Sequence, residues 1–235
     1  GVGNESWGCG GNMTADTYAT AFRHYAAFLR AYSGDRAKLI AVGADTDDYE
    51  WTEKVMAQAM KWRPNPTPLA YNTERPLMWG LSLHFYSFAG NDWRNKGRNI
   101  GFGTDQWASA LARAHLTDEL IRRHAAIMDR YDPKKQVAIA VDEWGAWFDS
   151  EKDAPSQLYL ESTLRDAVIA GMSLNIFNNR FGRGIHQRVQ VDVVHLQGGS
   201  TALPPETVHA QIACDGEDPG RSAGLAHVEQ RGLAP

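Results

Sequence analysis

The sequence predicts an α/β protein in which strands and helices alternate along the chain. Short, nearly continuous apolar runs at 77–86 and 136–143 are separated by longer segments in which apolar residues recur every three or four positions. Strands that are apolar throughout are typical of a parallel sheet buried on both faces. Helices between them supply the crossovers that parallel strands require, so we expect a series of βα units.

The first half of the chain is predicted to hold the end of a strand at Val2-Gly3, two helices and one buried strand. Thr14 is placed as the N-cap of the first helix, which is expected to end near Ser33-Gly34. A buried strand follows at 38–42, and the second helix runs over 49–62. The prolines after this helix are expected to stop it.

The second half continues the same alternation. A strand is predicted at 77–86 and is followed by a polar, glycine-containing loop that leads into a long helix over 104–131. Asp132-Pro133 then precede a strand at 136–143 that ends on Glu143. The last helix is predicted over 156–177.

The character of the chain changes after residue 180. Residues 181–235 contain the pairs Gly198-Gly199 and Pro204-Pro205 and, apart from 188–196, show no sustained helical or strand period. We therefore divide the chain into a folded unit at 1–180 and a tail at 181–235 that is irregular or frame-shifted. The tail is expected to place no parallel strand beside 136–143.

Composition excludes several classes of function. The 235 residues are 43% hydrophobic and 22% charged, an ordinary globular balance, and the net charge of −4 gives no basic field for nucleic acid. No apolar run approaches the roughly 20 residues that span a bilayer, so no membrane partner is expected. Two cysteines are too few for a disulfide scaffold. Both a cytoplasmic and a secreted location remain open.

Two glutamates occupy the ends of predicted strands, where the catalytic groups of α/β barrels lie. Glu5 follows the strand end at 2–3, and Glu143 ends the strand at 136–143. A single glutamate at a strand end more often forms a cap or a salt bridge. Two on opposed strands suit cleavage of a glycosidic bond, in which one carboxyl group protonates the leaving oxygen and the other attacks the anomeric carbon. For a retaining enzyme we expect the carboxyl groups to lie about 5–5.5 Å apart.

The alternation of side chains along a strand sorts the neighbours of these glutamates. Asp142 is expected to point away from Glu143 and toward the outer helices, because adjacent strand residues face opposite sides. His84 and Tyr86 are expected to share one face at the end of their strand. A phenol at this place can hydrogen-bond a carboxylate nucleophile and keep it ionised, whereas a structural role for His84 is equally open.

Three motifs resemble the α-L-arabinofuranosidases of glycoside hydrolase family 51, in clan A. Asn4-Glu5 with the following "SWGCGGNM" is similar to the acid/base motif of that family. "VDEWGAWF" at 141–148 is similar to its nucleophile motif, and "LHFYS" at 83–87 to the motif of its sixth strand. The motifs occur in the family's order and spacing and cover residues 1 to about 179.

The resemblance implies a fold and a set of site residues. The fold is a partial (β/α)₈ TIM barrel that runs from the end of strand four through helix seven. The implied roles are general acid/base for Glu5, nucleophile for Glu143, donor to the sugar 2-hydroxyl for Asn4, partner of the nucleophile for Tyr86, and lining of the arabinose subsite for His84 and Trp147.

The implied activity is the release of non-reducing terminal α-L-arabinofuranosyl groups from arabinan or arabinoxylan. The expected partner is an arabinose-containing oligosaccharide or polysaccharide, and the family is often homo-oligomeric. No cofactor and no metal are expected, since the chain has neither an HExxH motif nor a Cys/His cluster. The alternatives are another clan A glycosidase of xylanase or cellulase type and an inactive fragment that binds arabinosyl glycans.

Overall fold

A computed structural model of the chain describes residues 1–29, 37–61, 76–181 and 189–191. Within these ranges no helix combines the length and apolar character needed to cross a membrane. The architecture is α/β, with one four-stranded sheet and four helices among the described residues. The proline cluster at 64–68 and the expected end of the first helix at Ser33-Gly34 lie outside them.

The sheet is parallel throughout and follows the order of the chain. Its strands are β1 (Ile40–Ala41), β2 (Gly80–Ser87), β3 (Ala138–Ala146) and β4 (Val189–Val191), in the order β1-β2-β3-β4. Val2 adds a further parallel bridge beside Ala41, where the strand end at 2–3 was predicted. All carboxyl ends therefore point to one edge of the sheet, the edge where α/β proteins hold their ligands.

The helices are α1 (Ala15–Phe28), α2 (Tyr49–Ala59), α3 (Thr104–Tyr131) and α4 (Leu164–Phe181). The Thr14 hydroxyl accepts from the Thr17 amide at the start of α1, and Asp48 accepts from the Trp51 amide at the start of α2. These caps satisfy amide groups that have no partner inside the helix. They explain why both helices begin where the sequence predicts.

One extra residue in β3 changes the pairing between β2 and β3. Ser82 lies opposite Ala140, but His84 lies opposite Glu143, so three steps along β3 match two steps along β2. Such a bulge bends the strand and breaks the simple alternation of side chains. It lies directly before Glu143.

The core lies between the sheet and the helices. Apolar side chains of the strands, among them Val141 and Leu83, pack with residues such as Phe22, Met56 and Ile121 from three helices. A smaller cluster that includes Phe88, Phe148 and Ile169 lies under the loops at the carboxyl edge. The loops that carry the candidate site are therefore supported by their own apolar contacts.

Several predicted boundaries are wrong. Helix α1 ends at Phe28 and α2 at Ala59, before the expected ends near residues 34 and 62. The last helix begins at Leu164 rather than at 156, because Thr163 donates from its amide and its hydroxyl to Asp166 and so sets the helix start. The last long strand continues to Ala146, three residues beyond Glu143. Glu143 therefore lies inside the strand rather than at its end.

The prediction of no parallel strand from the tail is also wrong. Val189–Val191 pairs in parallel with Ile139–Val141. The free backbone groups along the outer edge of β3 accept a further strand, and alternate valines in "VQV" favour extended backbone. The remaining residues of the tail lie outside the described part of the chain.

Candidate active site

Glu5 lies in a tight loop that follows the short bridge at Val2. The Gly8 and Gly10 amides both donate to the Glu5 carbonyl, at 2.8 and 3.1 Å. A Cβ atom on Gly10 would lie 1.6 Å from the Asn4 carbonyl oxygen, so only glycine fits there. Glu5 itself has a φ of 39°, a conformation that non-glycine residues rarely adopt and that often marks a functional site.

His84 joins the two glutamates predicted to be catalytic. Its Nδ1 lies 2.9 Å from Glu5 Oε1 and 3.4 Å from Glu143 Oε2, while its Nε2 lies 3.1 Å from Asp142 Oδ1. The imidazole is almost completely buried among these three carboxylates. One oxygen of Glu5 and one of Glu143 lie within 4.8 Å of each other. Such close carboxyl groups are typical of retaining rather than inverting glycosidases.

The three carboxylates around His84 determine the charge of its imidazole ring. Burial opposes the charged imidazolium, but hydrogen bonds to Asp142 and Glu5, together with the charge of Glu143, outweigh it and raise the pKa of His84 to about 10. His84 is therefore an imidazolium at neutral pH, with a proton on each ring nitrogen. It neutralises part of the repulsion between the two glutamates.

Tyr86 supplies a hydrogen bond to the nucleophile candidate. Its hydroxyl donates to Glu143 Oε2 over 3.1 Å. Burial raises the pKa of Glu143, and the Glu5 charge adds to this, whereas His84 and the Tyr86 hydroxyl act in the opposite direction. Burial and the Glu143 charge also raise the pKa of Tyr86, which therefore remains a neutral donor.

Three aromatic side chains form a wall beside Glu143. The rings of Tyr86 and Trp147 meet edge to face with centroids 5.1 Å apart, and Trp93 packs edge to face against Trp147 at 5.5 Å. Trp93 is 44% exposed although it is a large apolar side chain. An exposed tryptophan next to buried carboxylates suits stacking against a sugar ring.

The structure brings most of the predicted site residues together. Glu5, Glu143, His84 and Tyr86 form one hydrogen-bonded cluster, and Trp147 contacts it through Tyr86. Asn4 is half-buried next to Glu5 in the same loop.

The prediction for Asp142 is wrong, because Asp142 faces His84 rather than the outer helices. The bulge before Glu143 shifts the alternation by one residue and turns Asp142 toward the site. Trp93 was also missed as a site residue. The sequence feature that could have indicated it is the position of Trp93 in the polar loop after a strand, because binding residues concentrate in such loops.

Glu5, His84 and Glu143 are also the group of side chains within the described ranges whose spacing could hold a cation. A metal requires a neutral imidazole with a free nitrogen lone pair. The raised pKa of His84 keeps both ring nitrogens protonated. The donor set therefore fits an ion pair better than a metal centre.

Comparisons with known proteins agree on one family. A family model described as the alpha-L-arabinofuranosidase C-terminal domain matches residues 142–183. An intracellular exo-alpha-L-arabinofuranosidase of Bacteroides ovatus is 38% identical over 180 residues, which are 76% of this chain and 32% of that protein. The chain is similar to alpha-L-arabinofuranosidases, among them members of glycoside hydrolase family 51.

Solved structures of family 51 have the same fold as this chain. The arabinofuranosidase of Xanthomonas axonopodis pv. citri is 37% identical and aligns with a TM-score of 0.69 over 81% of this chain and 35% of its own. AbfB, a family 51 alpha-L-arabinofuranosidase of Bifidobacterium longum, is 21% identical with a TM-score of 0.55 over 80% of this chain and 36% of its own, a likeness of fold. The chain spans about a third of the length of these relatives.

Proposed function

We propose that the protein is a retaining α-L-arabinofuranosidase that releases non-reducing terminal arabinofuranosyl groups from arabinan or arabinoxylan. The observation that carries this proposal is the pair of carboxylates, Glu5 and Glu143, whose oxygens lie within 4.8 Å of each other and both contact Nδ1 of the His84 imidazolium. The relatives named as arabinofuranosidases support the choice of sugar.

In the first step Glu143 attacks the anomeric carbon of the arabinofuranosyl group. The Glu143 oxygen forms a bond to this carbon while the glycosidic oxygen leaves with the bonding pair and takes a proton from Glu5. The Tyr86 hydroxyl, which donates to Glu143 Oε2, fixes the direction of attack. Attack requires an ionised Glu143, and His84 favours that state through its positive charge.

In the second step the glycosyl-enzyme is hydrolysed. Glu5, now ionised, removes a proton from water as the water oxygen attacks the anomeric carbon and Glu143 leaves. Each step inverts the configuration at the anomeric carbon, so the product retains the configuration of the substrate. Asn4 is placed in the same loop as Glu5 and would donate to the 2-hydroxyl of the sugar. Trp147 and Trp93 would line the arabinose subsite.

We also propose that the described sheet is part of a (β/α)₈ barrel, from the end of strand four through helix seven. The parallel order β1-β2-β3-β4 with intervening helices supports this arrangement. Both glutamates then lie at the carboxyl face of the barrel, where such enzymes hold their active sites.

The experiment is product analysis with the full-length protein. An aryl α-L-arabinofuranoside is expected to be hydrolysed at least about 100-fold faster than the matching aryl xyloside, and proton NMR should show the α-anomer of arabinose first. Release of the β-anomer first would contradict the retaining mechanism. Preferred cleavage of the xyloside would instead favour a xylanase-type enzyme.

A further inference from the structure

We infer that an acidic groove beside the catalytic centre binds the neutral leaving-group part of the glycan and discriminates against glycans that carry uronic acids. This inference rests on the proposed function. The groove is an open cavity of about 420 Å³ at the carboxyl edge of the sheet, within the size range of ligand pockets. Its lining includes Trp7, Asp45, Asp47, Asp48, Asp92 and Trp93.

The groove lies next to the catalytic centre. Asp45 forms a parallel bridge with His84, which contacts both glutamates. Trp93 meets the ring of Tyr86 edge to face, with centroids 6.0 Å apart. Trp7 follows Glu5 by two residues, and its indole donates to the Gly43 carbonyl. A glycan whose terminal arabinose lies between the glutamates would reach this groove with its next sugar unit.

The lining chemistry suits a carbohydrate. Trp7 and Trp93 provide apolar ring surface, and the carboxylates together with Asn91 provide acceptors and donors for hydroxyl groups. Sugar-binding sites require this combination of flat apolar faces and directed hydrogen-bonding groups. The leaving group after the arabinose is therefore the part of the substrate that fits here.

The lining of the groove carries a net negative charge. Four aspartates and one arginine line the groove, which gives a formal charge of −4 + 1 = −3. Arg113 is partly withdrawn, because its guanidinium stacks 3.7 Å from the centre of the Phe88 ring and its Nε donates to the Tyr86 carbonyl. Nearby Lys96 pairs with Asp149, and Arg94 lies on the same exposed loop. A uronate in the groove therefore meets like charge.

The aspartates are held in place by the fold. The Asp48 side chain caps α2, and Asp92 accepts from the amides of Arg94 and Asn95. The loop that carries Asp45, Asp47 and Asp48 is fixed by His124, whose Nε2 lies 2.8 Å from the Thr46 carbonyl. Burial lowers the pKa of His124, so it adds no positive charge at neutral pH. Asp47 is exposed and is the best position for a charge reversal.

The test compares two substrates in the full-length protein. The first is a neutral arabinofuranosyl-xylo-oligosaccharide, and the second carries one glucuronate on the xylose next to the arabinosylated one. At low ionic strength we expect kcat/KM to be at least about tenfold higher for the neutral substrate. The ratio should shrink in about 0.5 M salt, because salt screens exposed charges.

Variants at Asp47 make the test specific. Asp47→Lys is expected to reduce the neutral-to-acidic ratio several-fold, and the milder Asp47→Asn should reduce it less. Asp153→Lys makes the same charge change at an exposed position outside the groove and should leave the ratio unchanged. Equal kcat/KM for both substrates in the unaltered protein would overturn the inference. An unchanged ratio of these values in Asp47→Lys would overturn it as well.

A binding measurement separates this inference from the proposed function. Titration calorimetry with xylotriose and with glucuronosyl-xylotriose reports on the groove without any turnover. Tighter binding of the neutral oligosaccharide supports the inference even if aryl arabinofuranosides are not hydrolysed, in which case only the proposed function fails. Equal binding of the two oligosaccharides contradicts the inference even if hydrolysis is observed.

Discussion

The hydroxyl group of Tyr86 is one of the groups that influence how readily Glu143 takes up a proton. Burial raises the pKa of Glu143 above the ordinary 4.5, and the hydrogen bond from Tyr86 works against this rise. In Tyr86→Phe the pKa of Glu143 should rise further. Because attack needs the ionised carboxylate, the acid limb of the kcat/KM profile should move to higher pH.

This prediction is checked by pH profiles on an aryl arabinofuranoside. At the optimum kcat/KM should fall by about 10- to 100-fold, since a hydrogen bond to a charged group contributes about 1.5–3 kcal/mol. Tyr159→Phe removes a hydroxyl from an exposed ring and serves as the control with an unchanged profile. An acid limb that stays in place in Tyr86→Phe would show that the hydroxyl does not act on Glu143.

Asp142 is predicted to hold His84 in its charged state. Its carboxylate lies 3.1 Å from His84 Nε2 and has the largest effect of the neighbours that raise the pKa of His84 to about 10. In Asp142→Asn this pKa should fall toward the ordinary value near 6.5, because the amide offers no compensating charge. Nitrogen-15 NMR titration of the imidazole measures the change directly, with Asp153→Asn as a matched control. An unchanged titration of His84 would mean that Glu5 and Glu143 suffice to hold the proton.

Strand alternation predicts which face of β2 carries the site but not the environment of Asp142. His84 and Tyr86 follow the two-residue period and both reach the carboxylates. Asp142 lies at a bulge, and a bulge depends on the pairing between two strands rather than on local sequence. The left-handed backbone of Glu5 is likewise set by the contacts of its loop.

At the scale of elements, the close approach of β1 and β2 requires a glycine at position 43. A Cβ atom there would lie 1.5 Å from the Ser82 carbonyl oxygen, which is backbone and unable to rotate away. Gly43→Ala is expected to lower the free energy of unfolding by about 1–3 kcal/mol or more. It should also disturb catalysis, since the Gly43 carbonyl accepts from Trp7 in the loop after Glu5.

Gly171→Ala in α4 is the control for Gly43→Ala, because it makes the same chemical change in a helix. An added Cβ meets no atom within 4 Å there, and alanine favours a helix by about 0.5–1 kcal/mol. The two variants should therefore shift the midpoint of chemical denaturation in opposite directions. Equal stability of both would contradict the tight β1–β2 contact.

Elements with strong local signals are the ones that the sequence predicts well. Helix α3 spans Thr104–Tyr131 as its periodicity indicates, and the side chains of Thr14 and Asp48 cap α1 and α2. Helix α4 begins later than its apolar pattern suggests, because the Thr163–Asp166 contact overrides the periodicity. Strand β4 depends on the open edge of β3, a tertiary feature.

At the scale of the molecule, the site depends on three chain segments that the parallel sheet brings to one edge. Glu5 follows the bridge at Val2, His84 and Tyr86 lie on β2, and Glu143 lies on β3. The sequence predicts this convergence, because parallel strands place all their carboxyl ends together. It does not predict the mutual distances, which depend on twist and register.

Burial alone does not decide which of Glu5 and Glu143 donates the proton and which attacks the sugar. A raised pKa suits a proton donor, and it is the pKa of Glu143 that burial raises. The Tyr86 hydrogen bond and the family motif instead favour Glu143 as nucleophile. Kinetics of the two alanine variants separate these roles.

The most direct measurement is kcat for Glu5→Ala and Glu143→Ala in the full-length protein, on an activated aryl arabinofuranoside and on an arabino-oligosaccharide. Glu5→Ala should lose far more activity on the oligosaccharide, whose poor leaving group needs the proton, and azide should restore turnover by attacking the glycosyl-enzyme. Glu143→Ala should lose turnover of both substrates, because no covalent intermediate forms. Near-normal hydrolysis of the activated substrate by Glu143→Ala, with its loss in Glu5→Ala, would reverse the two assignments.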